Sequence, residues 1–160
     1  MLVDDCVVTK FLPHREPFLF VDNIKEIVFP ELLAGEKPTV KDFLGSEVVA
    51  TYLTKPDHPI FAGHFPGHPV FPGVLQVEMM AQVAGFAFIK IFDDDKLANV
   101  KMAFMSIQSA KFRKPILPNM QLLTKTKCLK VRGGVNRFSG QIYHNEELMA
   151  EAEFTASISF

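Results

Sequence analysis

The sequence has no tryptophan, only two cysteines and almost no net charge, with 17 Lys+Arg against 18 Asp+Glu. Binding to phosphate backbones draws on a basic surplus, so a balance of -1 argues against nucleic acid as a partner. Cys6 and Cys128 lack CxxC spacing and are too few for a disulfide framework, which leaves reduced thiols in the cytoplasm as the expectation. The chain opens MLVDD, acidic where a secretory leader is positive, so no signal peptide is expected. One apolar stretch, 74–92, approaches the length of a membrane span. Gln76, Glu78, Gln82 and Lys90 interrupt it, which predicts a buried helix of a soluble domain rather than a membrane span. What is plentiful is phenylalanine, 16 of 160 residues in a chain that is 48% hydrophobic, enough for one globular domain over 1–160 with flat apolar walls to its core.

Periodicity gives the fold class. From 148 to 160 the even positions read Leu, Ala, Ala, Phe, Ala, Ile, Phe and the odd ones are mostly polar, predicting a strand with one buried face. Residues 138–144 and 122–131 read as further strands, with Gly133 and Gly134 permitting a tight hairpin. Strands are also expected over 101–112, 47–54 and 18–29, with a longer connection over 31–45. The one long helix is predicted over 72–92, proline suiting its first turn and Asp93, Asp94 and Asp95 marking an exposed loop beyond it. Apolar residues surround this helix on nearly every side, so a sheet should wrap it. The prediction is α+β: a hot-dog fold, an antiparallel sheet curled around one central helix, with a second subunit covering its remaining apolar surface.

Between 61 and 85 the chain reads FAGHFPGHPVFPGVLQVEMMAQVAG. His64 sits in a loop stiffened by Pro66, Gly67, Pro69, Pro72 and Gly73, and Glu78 lies inside the helix that follows. Glu78 has two readings: a glutamate held in a salt bridge or at an interface edge, or an acid kept protonated by desolvation and able to donate. Gln82, one turn on, is placed to hydrogen-bond it. His64 is a satisfied structural histidine, a metal ligand with His58 and His68, or a general base. The prolines break the helix that would align His64 and His68, and no second ligand pair follows, so no metal is expected; His58 and His68 read as exposed loop residues. The Gly73 and Val74 N–H groups open the helix and suit a developing oxyanion, although any helix start offers such groups. Lys111, Arg113 and Lys114 form a basic run, either solvated or a dock for an acidic partner. Alternation would turn Lys111 and Arg113 to one face and Lys114 to the other.

HFPGHPVFPGVLQVEMMAQ at 64–82 resembles the signature of the 3-hydroxyacyl-acyl-carrier-protein dehydratases of type II fatty acid synthesis, FabZ type. LPHREPFLFVD at 12–22 resembles that family's opening motif, and KFRKPILP at 111–118 the end of its central strand, so the resemblance covers nearly the whole chain. It implies that a (3R)-3-hydroxyacyl chain arrives on the phosphopantetheine arm of acyl carrier protein. His64 would take the C2 proton, Glu78 would protonate the departing hydroxyl, and the Gly73 N–H would hold the thioester oxygen. It implies a homodimer whose sites combine His64 of one subunit with Glu78 of the other, dimers that assemble as hexamers (trimers of dimers), docking of the carrier at Arg113 or Lys114, and no metal or redox cofactor. Three rivals remain: a hot-dog acyl thioesterase, a non-catalytic acyl-binding subunit, and a dehydratase of a specialised lipid or polyketide pathway. The chain departs from the family pattern at Ala103, where many relatives carry a tyrosine that gates the tunnel and where Phe104 is the candidate replacement, and at Glu16, Gln108 and Asn119.

Overall fold

The computed structural model describes residues 5–30, 38–91 and 100–159, with side chains from residue 8 onward. The side chain of Cys6, the 31–37 part of the predicted long connection, Phe92, Asp93 to Asp95 and Phe160 lie outside the described residues.

Six antiparallel strands form one sheet: β1 (Asn23–Val28), β2 (Glu47–Leu53), β3 (Lys101–Phe112), β4 (Gln121–Arg132), β5 (Val135–His144) and β6 (Glu147–Ser159). Their order is β1-β2-β4-β5-β6-β3, so β1 and β3 are the edges. Two hairpins fix the register of the long strands. Gly133, at φ 62°, makes the first, and Asn145 and Glu146, at φ 47° and 66°, make the second. Positive φ at both central residues gives a turn the twist that flanking strands need. Helices α1 (Asp5–Phe11) and α2 (Ile60–Gly63) are short, whereas α3 (Gly73–Gly85) is the central helix and continues as a 3-10 turn over Phe86–Ile91.

The sheet curls around α3, whose residues Gln76, Val77, Met79, Met80, Gln82, Val83, Ala84 and Gly85 are all buried. Phenylalanines supply the flat walls expected of them. Phe20, Phe71 and Tyr52 meet edge to face or tilted at one end, and Phe88, Phe138 and Phe154 at the other. The continuous helical run Gly73–Ile91 has the length and hydropathy of a membrane span, but most of it is buried inside the fold, as a core helix should be.

Several boundaries differ from the expectation for local reasons. The strand predicted over 18–29 begins only at Asn23, because the Phe18 and Phe20 backbone groups bond a side chain of α3 instead of a neighbouring strand. Thr54 leaves β2 because its hydroxyl and N–H turn to the carbonyls of Leu117 and Met120. The predicted helix over 72–92 tightens to 3-10 geometry after Gly85. In β6 the alternation holds at Ala150, Ala152 and Phe154, while an irregularity opposite Ile142 and Tyr143 buries Met149 out of phase. Neither α1 nor α2 was expected.

Edge strand β3 is exposed along nearly its full length and carries Phe104, Met105, Ile107 and Phe112 at 41%, 58%, 53% and 50% exposure. A twelve-residue edge with unpaired backbone groups and apolar side chains is an unusual surface to leave in water.

The sheet closes on the helix because Gly140 of β5 lacks a side chain. A Cβ there would sit 2.7 Å from Met80 Sδ and 2.8 Å from its Cβ and Cγ, the near end of a buried side chain that cannot swing away. Gly140→Ala should therefore destabilise the protein by about 1–3 kcal/mol, read as a lowered Tm. An unchanged melting curve would show that α3 does not pack against β5 this closely.

Candidate active site

His64 follows α2 directly, and its N–H closes that helix on the Ile60 carbonyl at 2.9 Å. The next turn is tied by reciprocal bonds between Phe65 and His68 at 2.9–3.0 Å, and the Val70 N–H returns to the His64 carbonyl at 2.8 Å. This loop fixes the imidazole as well as the backbone, because His64 Nδ1 lies 2.7 Å from the Val70 carbonyl oxygen. A carbonyl can only accept, so Nδ1 bears the hydrogen and Nε2 is left with its lone pair. That is the tautomer a general base needs.

Gly73, the first residue of α3, lines the same hollow as His64, together with Gln76, Phe112, Arg113 and Lys114. A Cβ at Gly73 would meet the tip of the half-exposed Phe112 ring at 2.9 Å, so the helix start approaches β3 closely and a larger residue there would displace that ring. The Leu75 and Gln76 N–H groups both turn to the Pro72 carbonyl, at 3.1 Å. The N–H groups of Gly73 and Val74 precede them in the first turn, where an α-helix provides no partner of its own. The Val74 side chain does not line this hollow and is 76% exposed.

Glu78 faces a different hollow, lined by His14, Ala81, Gln82, Met102, Ala103 and Phe104 among others. Its Oε1 accepts from Gln82 Nε2 at 2.9 Å and lies 3.2 Å from His14 Nε2. Gln82 is itself fixed, its Oε1 accepting from the Phe20 N–H at 2.9 Å and its Nε2 donating to the Phe18 carbonyl at 3.0 Å. Desolvation, the largest influence on Glu78, pushes its carboxyl up, but the hydrogen bonds from His14 and Gln82 and the charge of His14 outweigh it, and the net direction in the single chain is down. Of the two readings of Glu78, the single chain shows the paired glutamate, and desolvation alone does not keep it protonated. His14 was the missed partner. It lies within the 12–22 segment, but only the folded chain carries it to Glu78. Beyond the carboxyl the walls are apolar, with Phe104 edge-on to Phe154 at 5.6 Å and Ala103 beside it.

The chain thus brings His64, Gly73, Arg113 and Lys114 to one hollow and Glu78 and Gln82 to another. Arg113 and Lys114 share a hollow because β3 ends at Phe112, so strand alternation no longer applies, and both their N–H groups turn to the Met149 carbonyl. Lys111 lines a separate hollow on the sheet's outer face. Arg113 pairs with Glu151 at 3.1 Å and Lys114 with Glu147, Glu151 half-buried and the other three exposed.

His58 is buried rather than exposed: its Nε2 lies 2.9 Å from the Pro17 carbonyl and its Nδ1 accepts from the Ile60 N–H at 3.2 Å, so it braces the loop against α2. His68 is exposed, as expected. Burial pushes the Cys128 thiol up to about 11, which makes it a poor nucleophile at neutral pH. Among the described residues no group of three or more His, Cys, Asp and Glu is arranged to hold a metal ion.

Comparison with solved structures supports the fold. A chain of the dehydratase heterocomplex ApeI:P from Xenorhabdus doucetiae superposes with a TM-score of 0.67 at 15% identity, covering 96% of this chain and 91% of that one. A thioesterase superfamily member from Thermus thermophilus gives a TM-score of 0.58 at 17% identity, over 78% of this chain and 85% of that one. These neighbours are hot-dog dehydratases and thioesterases and speak for the fold alone. Sequence is more specific. The 3-hydroxyacyl-[acyl-carrier-protein] dehydratase FabZ of Geotalea uraniireducens is 40% identical over 152 residues, covering 95% of this chain and 94% of its own. The protein of the same name from Sulfurovum sp. is 37% identical over 154 residues, covering 94% and 93%. The FabA-like domain family matches residues 12–153, and with these relatives along nearly its whole length the chain belongs to the FabA-like family as one of its FabZ 3-hydroxyacyl-acyl-carrier-protein dehydratases.

Proposed function

We propose that residues 1–160 form one cytoplasmic enzyme unit that dehydrates (3R)-3-hydroxyacyl-acyl-carrier-protein to the trans-2-enoyl thioester in fatty acid biosynthesis. The observation that carries this reading is the His64 imidazole, pinned through Nδ1 with its Nε2 lone pair free. His64 Nε2 takes the C2 proton. The Gly73 N–H, at the positive end of α3, receives the thioester oxygen as charge develops on it, with the neighbouring Val74 N–H adding to the same field. Glu78 supplies the proton with which the 3-hydroxyl leaves as water, and Gln82 holds its carboxyl in place. Elimination of water breaks the C2–H and C3–O bonds with no net oxidation or reduction, so the reaction calls for no redox cofactor, and His64 and Glu78 supply the acid and base without a metal.

His64 and Glu78 line separate hollows, so a complete site is assembled from two copies, His64 of one facing Glu78 of the other. The exposed apolar edge β3 is the surface that pairing would cover. Trimers of such dimers are the proposed larger assembly. Closure by the second copy and by the acyl chain withdraws water from Glu78, which acts upward on its carboxyl, the direction in which desolvation already acts in the single chain. Protonation of the acid is thereby coupled to assembly and to substrate. The apolar walls beyond Glu78 receive the acyl chain, with Ala103 and Phe104 at that boundary.

Dehydration is distinguished from thioester hydrolysis by the product. Given carrier-bound 3-hydroxyacyl substrate, the protein should form the enoyl thioester; free acid and thiol would mean a thioesterase. His64→Ala and Glu78→Gln should each lower turnover by about 10²–10⁴-fold while remaining folded. A variant that keeps wild-type turnover would remove that residue from the mechanism.

Arg113 and Lys114 border the His64 hollow, where a phosphopantetheine arm would enter, and are the proposed contacts for the acidic carrier. Their pairs with Glu151 and Glu147 lie at the surface, and such pairs are worth only about 0–1 kcal/mol, so a carrier can displace them. Reversing either charge should lower kcat/KM for carrier-bound substrate at low salt, converge with wild type at high salt, and leave small thioester analogues barely affected. Unchanged kcat/KM in both Arg113→Glu and Lys114→Glu would leave the run as solvated surface.

A further inference from the structure

The atoms around Glu78 assign different tasks to its two oxygens. Gln82 can present only a donor to the carboxyl, because its Oε1 is already occupied by the Phe20 N–H and its Nε2 bridges the Phe18 carbonyl and Glu78 Oε1. His14 adds a second contact to the same oxygen, Nε2 to Oε1 at 3.2 Å. The far nitrogen, Nδ1, is buried with no hydrogen-bond partner among the described residues. Hydrogen on Nδ1 alone would leave a buried donor without an acceptor, whereas the Nε2–H tautomer and the charged ring both give the Nε2 hydrogen to Glu78. Oε1 therefore accepts twice, and among the described residues no side-chain hydrogen bond to Oε2 accompanies these.

We infer that His14 is a positioning residue for the acid: with Gln82 it commits Glu78 Oε1 to accepting hydrogen bonds, so that Oε2 carries the proton handed to the departing hydroxyl. This rests on the reading of Glu78 as the acid. In the step itself, the C2–H electron pair becomes the second C2–C3 bond while its proton goes to His64 Nε2. The C3–O pair leaves with the hydroxyl, which takes the proton from Oε2 and departs as water. Negative charge left on the carboxylate is met by two donors already in place, a preorganised arrangement that makes Glu78 a stronger acid than its apolar setting would.

Few other groups complicate a titration of this pair. The Arg15 guanidinium is committed to the carbonyls of Thr9, Leu12 and His14. The other walls of the hollow, on α3 and on β3, β5 and β6, are uncharged. In the proposed assembled site His64 of the second copy faces this pair as the base.

His14→Gln and His14→Asn separate positioning from bulk structure. A glutamine amide nitrogen falls near the place of Nε2, whereas an asparagine amide falls near Nδ1 and stops short of Glu78. The assay is dehydration of carrier-bound substrate by the full-length assembled protein across pH, alongside thermal melting. The Asn variant should lose about 10- to 100-fold in kcat with KM little changed. Without its donor Glu78 becomes a weaker acid, so the alkaline limb of the kcat profile should move up by about one pH unit. The Gln variant should recover most of the turnover and return the limb toward wild type. If the two variants behave alike, whether both near wild type or both crippled with an unmoved limb, His14 does not position the acid. Glu78→Gln run in parallel keeps the two ideas apart. If it is inactive while the His14 variants match each other, this inference fails alone; if it keeps wild-type turnover, the acid assignment fails first.

Discussion

The Gln82 carboxamide is where the segment before β1, the central helix and the Glu78 carboxyl are tied together. It receives the Phe20 N–H, donates to the Phe18 carbonyl and donates to Glu78 Oε1, all within 2.9–3.0 Å. Each bond restrains the others. Because the Phe18 and Phe20 backbone groups are satisfied by a side chain, that stretch can leave the sheet without orphaning buried amides. Because it leaves the sheet there, His14 comes to lie over α3 and reaches Glu78. A charged group that is only 17% exposed is costly unless its partners are held, and here Gln82 is held by the Phe18 and Phe20 backbone. The polar cluster and the irregular path of residues 12–22 are two sides of one constraint.

A second constraint is topological. With the order β1-β2-β4-β5-β6-β3 the longest unpaired edge is β3, and the Gly73 start of α3 packs against its last residue, Phe112. The His64 loop opens at that end of β3, while the Glu78 hollow opens onto Met102, Ala103 and Phe104 near the strand's beginning. An antiparallel neighbour along β3 would lay the end of one strand beside the beginning of the other. In the proposed dimer, the arrangement that covers the apolar edge would also bring base to acid, and assembly and catalysis would share one surface.

Much of this was legible in the sequence. The hairpins announced themselves through Gly133 and Gly134, and the wrapped helix through apolar residues on every side. His64, Gly73, Glu78 and Gln82 sit within a single stretch whose proline and glycine punctuation marks loop from helix. What could not be read were relations between distant segments. His14 lies in a motif that signals family but says nothing of its contact with Glu78. His58 reads as an exposed loop histidine, yet both its nitrogens are engaged and its ring packs on Phe20 and Phe61. The direction of the Glu78 shift was equally hidden: burial can be guessed from neighbours in a helix, but the donors that oppose it come from elsewhere in the fold.

The central claim is that each site takes its base from one copy and its acid from another. Mixing inactive His64→Ala with inactive Glu78→Gln under conditions that exchange subunits tests it directly. A mixed dimer then holds one site with both mutations and one with neither, so random pairing should restore about a quarter of wild-type activity. If the subunits exchange, as mass spectrometry of differently tagged chains would verify, and no activity returns, His64 and Glu78 act within one chain and the shared site is wrong.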